Sequence, residues 1–174
     1  MGKGFLLLLC LVTLILACNR NAYRVTNKTY KKQVKQYAKV LRQYPLQDSV
    51  SNAPFFAGTT NFSIRRPNFV VIHHTAQNTC DQTLKTFTIP RTAVSAHYVV
   101  CRDGTVFHML NDYFRAQHAG VSKWGNNTDL NSSSIGIEVD NNGSEPFSEP
   151  QMNSLLQLLD RLKRAYSIPQ ANFV

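Results

Sequence analysis

Apolar and polar positions divide the chain into a small number of readable segments. Phe69-Val70-Val71-Ile72-His73-His74 is a continuous apolar run ending in two histidines, the pattern of a strand buried on both faces. Residues 134–140 alternate: Ile135, Ile137 and Val139 share one face, Gly136, Glu138 and Asp140 the other, as a strand requires. Residues 98–101 and 105–110 read as two further strands, and Asp103-Gly104 between them predicts a hairpin. A helix is predicted over 149–166, with Met152, Leu155, Leu156, Leu159, Leu162 and Tyr166 as its buried stripe. Ser148 and Gln151 fit a capping box, Pro150 lies in the tolerated first turn, and Pro169 stops the helix. A second amphipathic helix is predicted over 27–44, where Tyr30, Val34, Tyr37, Val40, Leu41 and Tyr44 recur at spacings of three and four. Lys31, Lys32, Lys35 and Lys39 fall largely between them, Asn27 or Thr29 is the candidate cap, and Pro45 ends the pattern. A short helix is expected near 81–88, a linker over 46–67 and a long loop over 111–134. Residues 171–174 look like the first half of another strand. Strands and helices in this order define an α/β chain.

The N-terminus follows a different pattern. Lys3 precedes an apolar segment, residues 5–16, which has the make-up of a signal-peptide core and is short for a membrane span. Ala17-Cys18 directly after it resembles a bacterial lipobox, so lipidation at Cys18 is expected; the competing reading is an ordinary secretory signal containing a cysteine. Export implies an oxidising compartment. Cys80 and Cys101 then remain, either as one disulfide or as two buried thiols. The domains expected are a lipoprotein signal peptide (1–17), a basic tether with an amphipathic helix and linker (18–66), and a folded domain (67–174).

Charge sharpens this division. The chain carries a formal net charge of +9, but residues 19–66 hold ten Lys/Arg against Asp48 alone, whereas residues 67–174 hold eight against nine Asp/Glu. A nucleic-acid-binding domain carries its basic patch on the folded unit, so no nucleic-acid partner is expected. A basic segment beside an export signal instead suits an anionic surface.

The candidate chemistry sits at strand ends. His73 and His74 point to opposite faces of a regular strand, so only one of them serves a given site. A carboxylate such as Glu138 in mid-strand is costly unless it is paired or used, and Gly136 on the same face leaves room for close approach. The ordered set is His73, Ser95-Ala96-His97-Tyr98, Arg102-Asp103-Gly104, His118-Ala119-Gly120-Val121-Ser122-Lys123-Trp124 and Ser134-Ile135-Gly136-Ile137-Glu138. It resembles the zinc-dependent N-acetylmuramoyl-L-alanine amidases, in the superfamily shared with peptidoglycan recognition proteins, over about residues 67–174.

The resemblance implies a central mixed β-sheet flanked by helices and a peptidoglycan hydrolase that uses zinc-activated water to cleave the amide between N-acetylmuramic acid and L-alanine. A module that binds muropeptides without cutting them is the alternative. It implies His73 as a zinc ligand and Glu138 as the catalytic carboxylate. His118, in the Gly-rich loop, and Trp124 beside it are the candidate substrate contacts. His97 is expected to be a hydrogen-bonded structural histidine. In the family the other ligands follow the long C-terminal helix, so they are expected beyond Val174, with the last strand and site segment missing from this sequence. Peptidoglycan and a membrane reached through the lipid anchor are the partners implied, and the cell envelope the location.

Overall fold

The structure, a computed structural model, describes residues 22–42 and 63–174. The chain divides into two units, Met1–Thr60 and Asn61–Val174. The signal-like segment, Cys18 and most of the linker lie outside the described residues.

In the first unit, helix α1 spans Arg24–Leu41. It starts three residues before the sequence pattern suggests, and neither predicted cap acts as one. Asn27 already donates its amide to the Tyr23 carbonyl, at 2.8 Å, and the Thr29 hydroxyl donates back to Val25 O. Nothing in Arg24-Val25-Thr26 breaks a helix, and Tyr23 and Thr26 extend the stripe of Tyr30 and Val34, the four half-buried positions of this segment.

The second unit is built on four strands: β1 (Phe69–His74), β2 (Tyr98–Val100), β3 (Val106–His108) and β4 (Ser134–Val139). Their order is β1-β4-β2-β3. β4 runs parallel to both β1 and β2, while β3 is the antiparallel partner of β2, so the sheet is mixed as expected. Phe173 bridges to Val70. Val174 exchanges backbone bonds with Val70 and Ile72 at 2.9 and 2.8 Å, so the chain begins a further parallel position outside β1. Ala171 and Asn172, expected to open this strand, lie instead in a 3₁₀ turn, Gln170–Asn172.

Central placement explains why β4 is buried along its whole length. Helix α4 (Glu149–Tyr166) covers the face that carries Val70, Ile135, Ile137 and Val139, and with Tyr98, Val100 and Ile168 it forms the apolar core. Its buried stripe is Gln151, Leu155, Leu158 and Leu162. Leu156, predicted to be buried, is 59% exposed, because the stripe is centred on residues 151, 155, 158 and 162 and position 156 falls outside it. Ser148 accepts the Gln151 amide as a cap. The Gln151 side chain does not return to Ser148. It donates to the carbonyls of Val100 and Asp140, bolting the helix start to the ends of β2 and β4.

Helix α2 (Cys80–Thr88), capped by Thr79, starts at a disulfide between Cys80 and Cys101, whose Cα atoms are 5.4 Å apart. The bond ties α2 to the end of β2 and, for a loop of this size, contributes about 3 kcal/mol. The long loop expected over 111–134 contains one short helix, α3 (Leu130–Ser133), capped by Asp129. Arg65, read from the sequence as part of the basic tether, is bound into this unit. Its guanidinium donates to the carbonyls of Asp112, Tyr113, Phe114, Ser132 and Ser134.

Candidate active site

The parallel pairing of β1 with β4 decides the site. The register places His73 directly opposite Glu138. Paired residues of neighbouring strands share a sheet face, so both side chains leave the face opposite α4, at the carboxyl ends of the strands. They open into a cleft of about 250 Å³ walled by Thr83, Thr86 and Phe87 of α2 and by His118. His74, paired with Val139, belongs to the other face and is exposed near Gly143.

Glu138 is 8% exposed and receives no hydrogen bond or ion pair from the described residues. Burial alone pushes its carboxyl up to about 7, because the charged form has lost its water. A carboxyl poised there exchanges protons readily near neutral pH.

His118 comes from the long loop and lies flat against Gly136, where a Cβ would meet its ring carbons at 2.3–2.5 Å. Asn131 holds it there by accepting the amides of His118 and Ala119, both at 2.9 Å. Its Nδ1 is 3.1 Å from His73 Nε2 and its Nε2 is 3.1 Å from Ser134 Oγ. The Ser134 hydroxyl donates its proton to Leu130 O. The tautomers follow by elimination: Ser134 Oγ accepts from His118 Nε2–H, which leaves His118 Nδ1 to accept from His73 Nε2–H. Burial lowers the pKa of His73, with His74 adding to the effect. It lowers His118 to about 3, with smaller contributions from the neighbouring His73 and His97. Both rings are therefore neutral at physiological pH.

His97 supports the site from below. It is fully buried, accepts the Gly136 amide on Nδ1 and donates from Nε2 to Phe114 O, both at 3.0 Å. Burial drives it down to about 4. Trp124 is 51% exposed on its loop and does not line the cleft. Asp140 is buried; Arg102 pairs with it at 3.3 Å and with Glu145 at 2.7 Å, holding the loop after β4. His108 stacks on Tyr98 and bonds Asp112, on the far side of the sheet order from β1.

The structure thus brings His73, Glu138 and His118, all singled out from the sequence, together, and leaves Trp124 apart. Arg65, Asn131 and Ser134 were missed as positioning residues. Ser134 stands inside a recognised motif, but nothing local marks its hydroxyl as the partner of a ring sixteen residues away. A catalytic zinc takes three protein ligands. Among the described residues no three His, Cys, Asp or Glu are placed to hold a metal. His73, His74 and His118 all border the cleft, but His74 leaves β1 on the opposite face from His73 and His118 has both nitrogens engaged. The described residues therefore do not by themselves make a complete zinc site.

A mixed sheet with a histidine and a buried glutamate side by side at parallel strand ends defines an amidase-like α/β unit. The sequence profile of the N-acetylmuramoyl-L-alanine amidase family, Amidase_2, matches residues 63–174, and the chain belongs to that family. It is similar to the N-acetylmuramoyl-L-alanine amidase AmiD of Escherichia coli, 32% identical over 125 residues, which cover 63% of this chain and 44% of AmiD. It is also similar to the 1,6-anhydro-N-acetylmuramyl-L-alanine amidase AmpD of Haemophilus influenzae, 36% identical over 73 residues, 42% of this chain and 40% of AmpD. The solved complex of E. coli AmiD with the substrate anhydro-N-acetylmuramic acid-L-Ala-D-gamma-Glu-L-Lys superposes with a TM-score of 0.60 at 30% identity, over 67% of this chain and 51% of that one. The chain spans less than half the length of these two curated relatives.

Proposed function

We propose that the chain is the amidase unit of a peptidoglycan hydrolase, cutting the amide between N-acetylmuramic acid and L-alanine. The observation that carries this reading is Glu138: a buried carboxyl raised to about 7, facing His73 across the parallel pair at an open cleft. An amide resists water because the nucleophile is weak and the amine leaves poorly. A carboxylate at Glu138 takes a proton from the attacking water, and the resulting acid returns it to the departing nitrogen of L-alanine. A group titrating near 7 performs both halves at neutral pH. The neutral His118, bonded to His73, fixes the ring orientation opposite it. The muropeptide named in the AmiD complex supports a substrate of that class, with His118 on the cleft wall and Trp124 on the outer loop as its proposed contacts.

Zinc is the proposed cofactor, with His73 as one ligand, following the family; when bound it would supply the lowered water pKa that these enzymes use. The proposed location is the cell envelope, with export through residues 1–17 and lipid attachment at Cys18. A second reading is a muropeptide-binding module without hydrolysis, favoured by the lack of a three-ligand set among the described residues. Purified protein, with and without added zinc, is incubated with muramyl tripeptide and the release of L-alanine-linked peptide is followed by mass spectrometry, alongside calorimetric binding. Turnover that Glu138→Gln abolishes supports the enzyme. Binding without turnover at any zinc level replaces it with the binding module, and neither activity overturns both.

A further inference from the structure

Helix α1 has the most strongly segregated charge among the described residues. Arg24, Lys28, Lys31, Lys32, Lys35, Lys39 and Arg42 are all exposed, and no acidic residue occurs between residues 22 and 42. At 3.6 residues per turn they fall within roughly 100° of arc. The half-buried Tyr23, Thr26, Tyr30 and Val34 run along the opposite side. A helix stabilised only by its own surface pairs would alternate signs at spacings of three and four; here every such pair on the basic face is repulsive. The arrangement costs stability in the free helix and repays it only against a partner of opposite charge.

We propose that the basic face of α1 is a docking surface for anionic lipid headgroups. Two features select a bilayer over other polyanions. The apolar segment 5–16 and Cys18 lie so near that the six residues from Cys18 to Arg24 reach at most about 20 Å when extended. The flexible ammonium groups suit headgroup phosphates that present no fixed pattern to read, where each lysine near the surface multiplies affinity by about fivefold. The face lies along the helix, so the seven cations engage a flat surface together. This reading does not depend on amidase activity.

The test measures partition of the full-length chain onto vesicles of phosphatidylcholine alone and of phosphatidylcholine with 30% phosphatidylglycerol. The apolar N-terminal segment, and any acyl chain, contribute equally to both, so the ratio of partition coefficients isolates charge. The expected ratio is about 100-fold or more in 0.1 M salt, falling steeply at 0.5 M. Lys28→Gln, Lys31→Gln, Lys32→Gln and Lys35→Gln together keep helix propensity and lower the ratio by about 100-fold or more. A wild-type ratio near one overturns the proposal. So does a ratio that survives the four substitutions, or charge-dependent retention by purified cell-wall polymer with none on vesicles. The salt titration of the wild type tests the proposal even if the quadruple variant loses its helix.

Discussion

The two faces of one sheet are built from alternate residues of the same strands, and they have been put to opposite uses. On the α4 face, Val70, Ile135, Ile137 and Val139 are 0–2% exposed and pack against leucines. On the other face, reached by the residues that alternate with these, His73, Gly136 and Glu138 line or support a cleft. The first face contributes burial energy. On the second, a carboxyl and two imidazoles are held with little water, which raises the one and depresses the others. Rigidity supplied by the apolar face keeps the polar face in place, since every residue of β4 is anchored between its neighbours.

The largest effect expected from separating these roles is on catalysis. Glu138→Gln should lower amide hydrolysis by about 10²–10⁴-fold while the circular dichroism spectrum stays unchanged; turnover within a few-fold of wild type would make Glu138 a structural residue. The mirror experiment is Ile137→Ala, one position away on the apolar face. It should lower unfolding free energy in urea by about 2–5 kcal/mol, with the muropeptide affinity of the folded fraction kept. A smaller loss would mean that α4 contributes less to the core than its burial indicates.

A third test uses pH. The Glu138 carboxyl, raised from 4.5 to about 7, is protonated in the folded protein over a range where the unfolded chain ionises. Its contribution to stability is therefore present below about 4.5 and is lost as pH rises towards 7. At about 1.4 kcal/mol per pH unit, Glu138→Gln should be more stable than wild type by up to about 3 kcal/mol at pH 8 and equal to it near pH 4.5. His97 and His118, depressed to about 4 and about 3, act in the other direction: the unfolded chain protonates first, so stability falls as pH drops below 6.5. Thermal melts of the two proteins across pH 4–8 check both signs, and parallel curves would remove Glu138 from the buried titrating groups.

The smallest effect concerns a contact within the cleft face. A methyl group at Gly136 would stand 2.3 Å from the His118 ring, so Gly136→Ala should displace the ring, break its bond to His73 and cost about 1–3 kcal/mol. Nitrogen-15 imidazole spectra report it directly. Wild-type His73 and His118 should both show the Nε2–H tautomer, and the variant should lose that fixed pattern at His73.

Sequence alone determined the elements and half of the site. Period-two alternation marked β4, the apolar run marked β1, Asp103-Gly104 marked the hairpin, and the Ser148 cap with Pro150 marked the start of α4, because each depends on residues within a few positions of one another. The same local logic singled out Glu138 as a carboxylate out of place and admitted only one of His73 and His74 to a site, while the choice of His73 came from the family resemblance. Tertiary structure decided what required distant segments to meet. These include the β1–β4 register that puts His73 opposite Glu138, His118 seated on Gly136 and locked by Asn131 and Ser134, Arg65 drawn into the carbonyls of two loops, and Cys80 joined to Cys101. It also moved the buried stripe of α4 from Leu156 to Leu158 and turned Gln151 from a cap into a bolt. Sequence spacing carries periodicity, which is a property of one element. Register, ring orientation and desolvation are properties of elements packed together, and they are set only when the sheet closes.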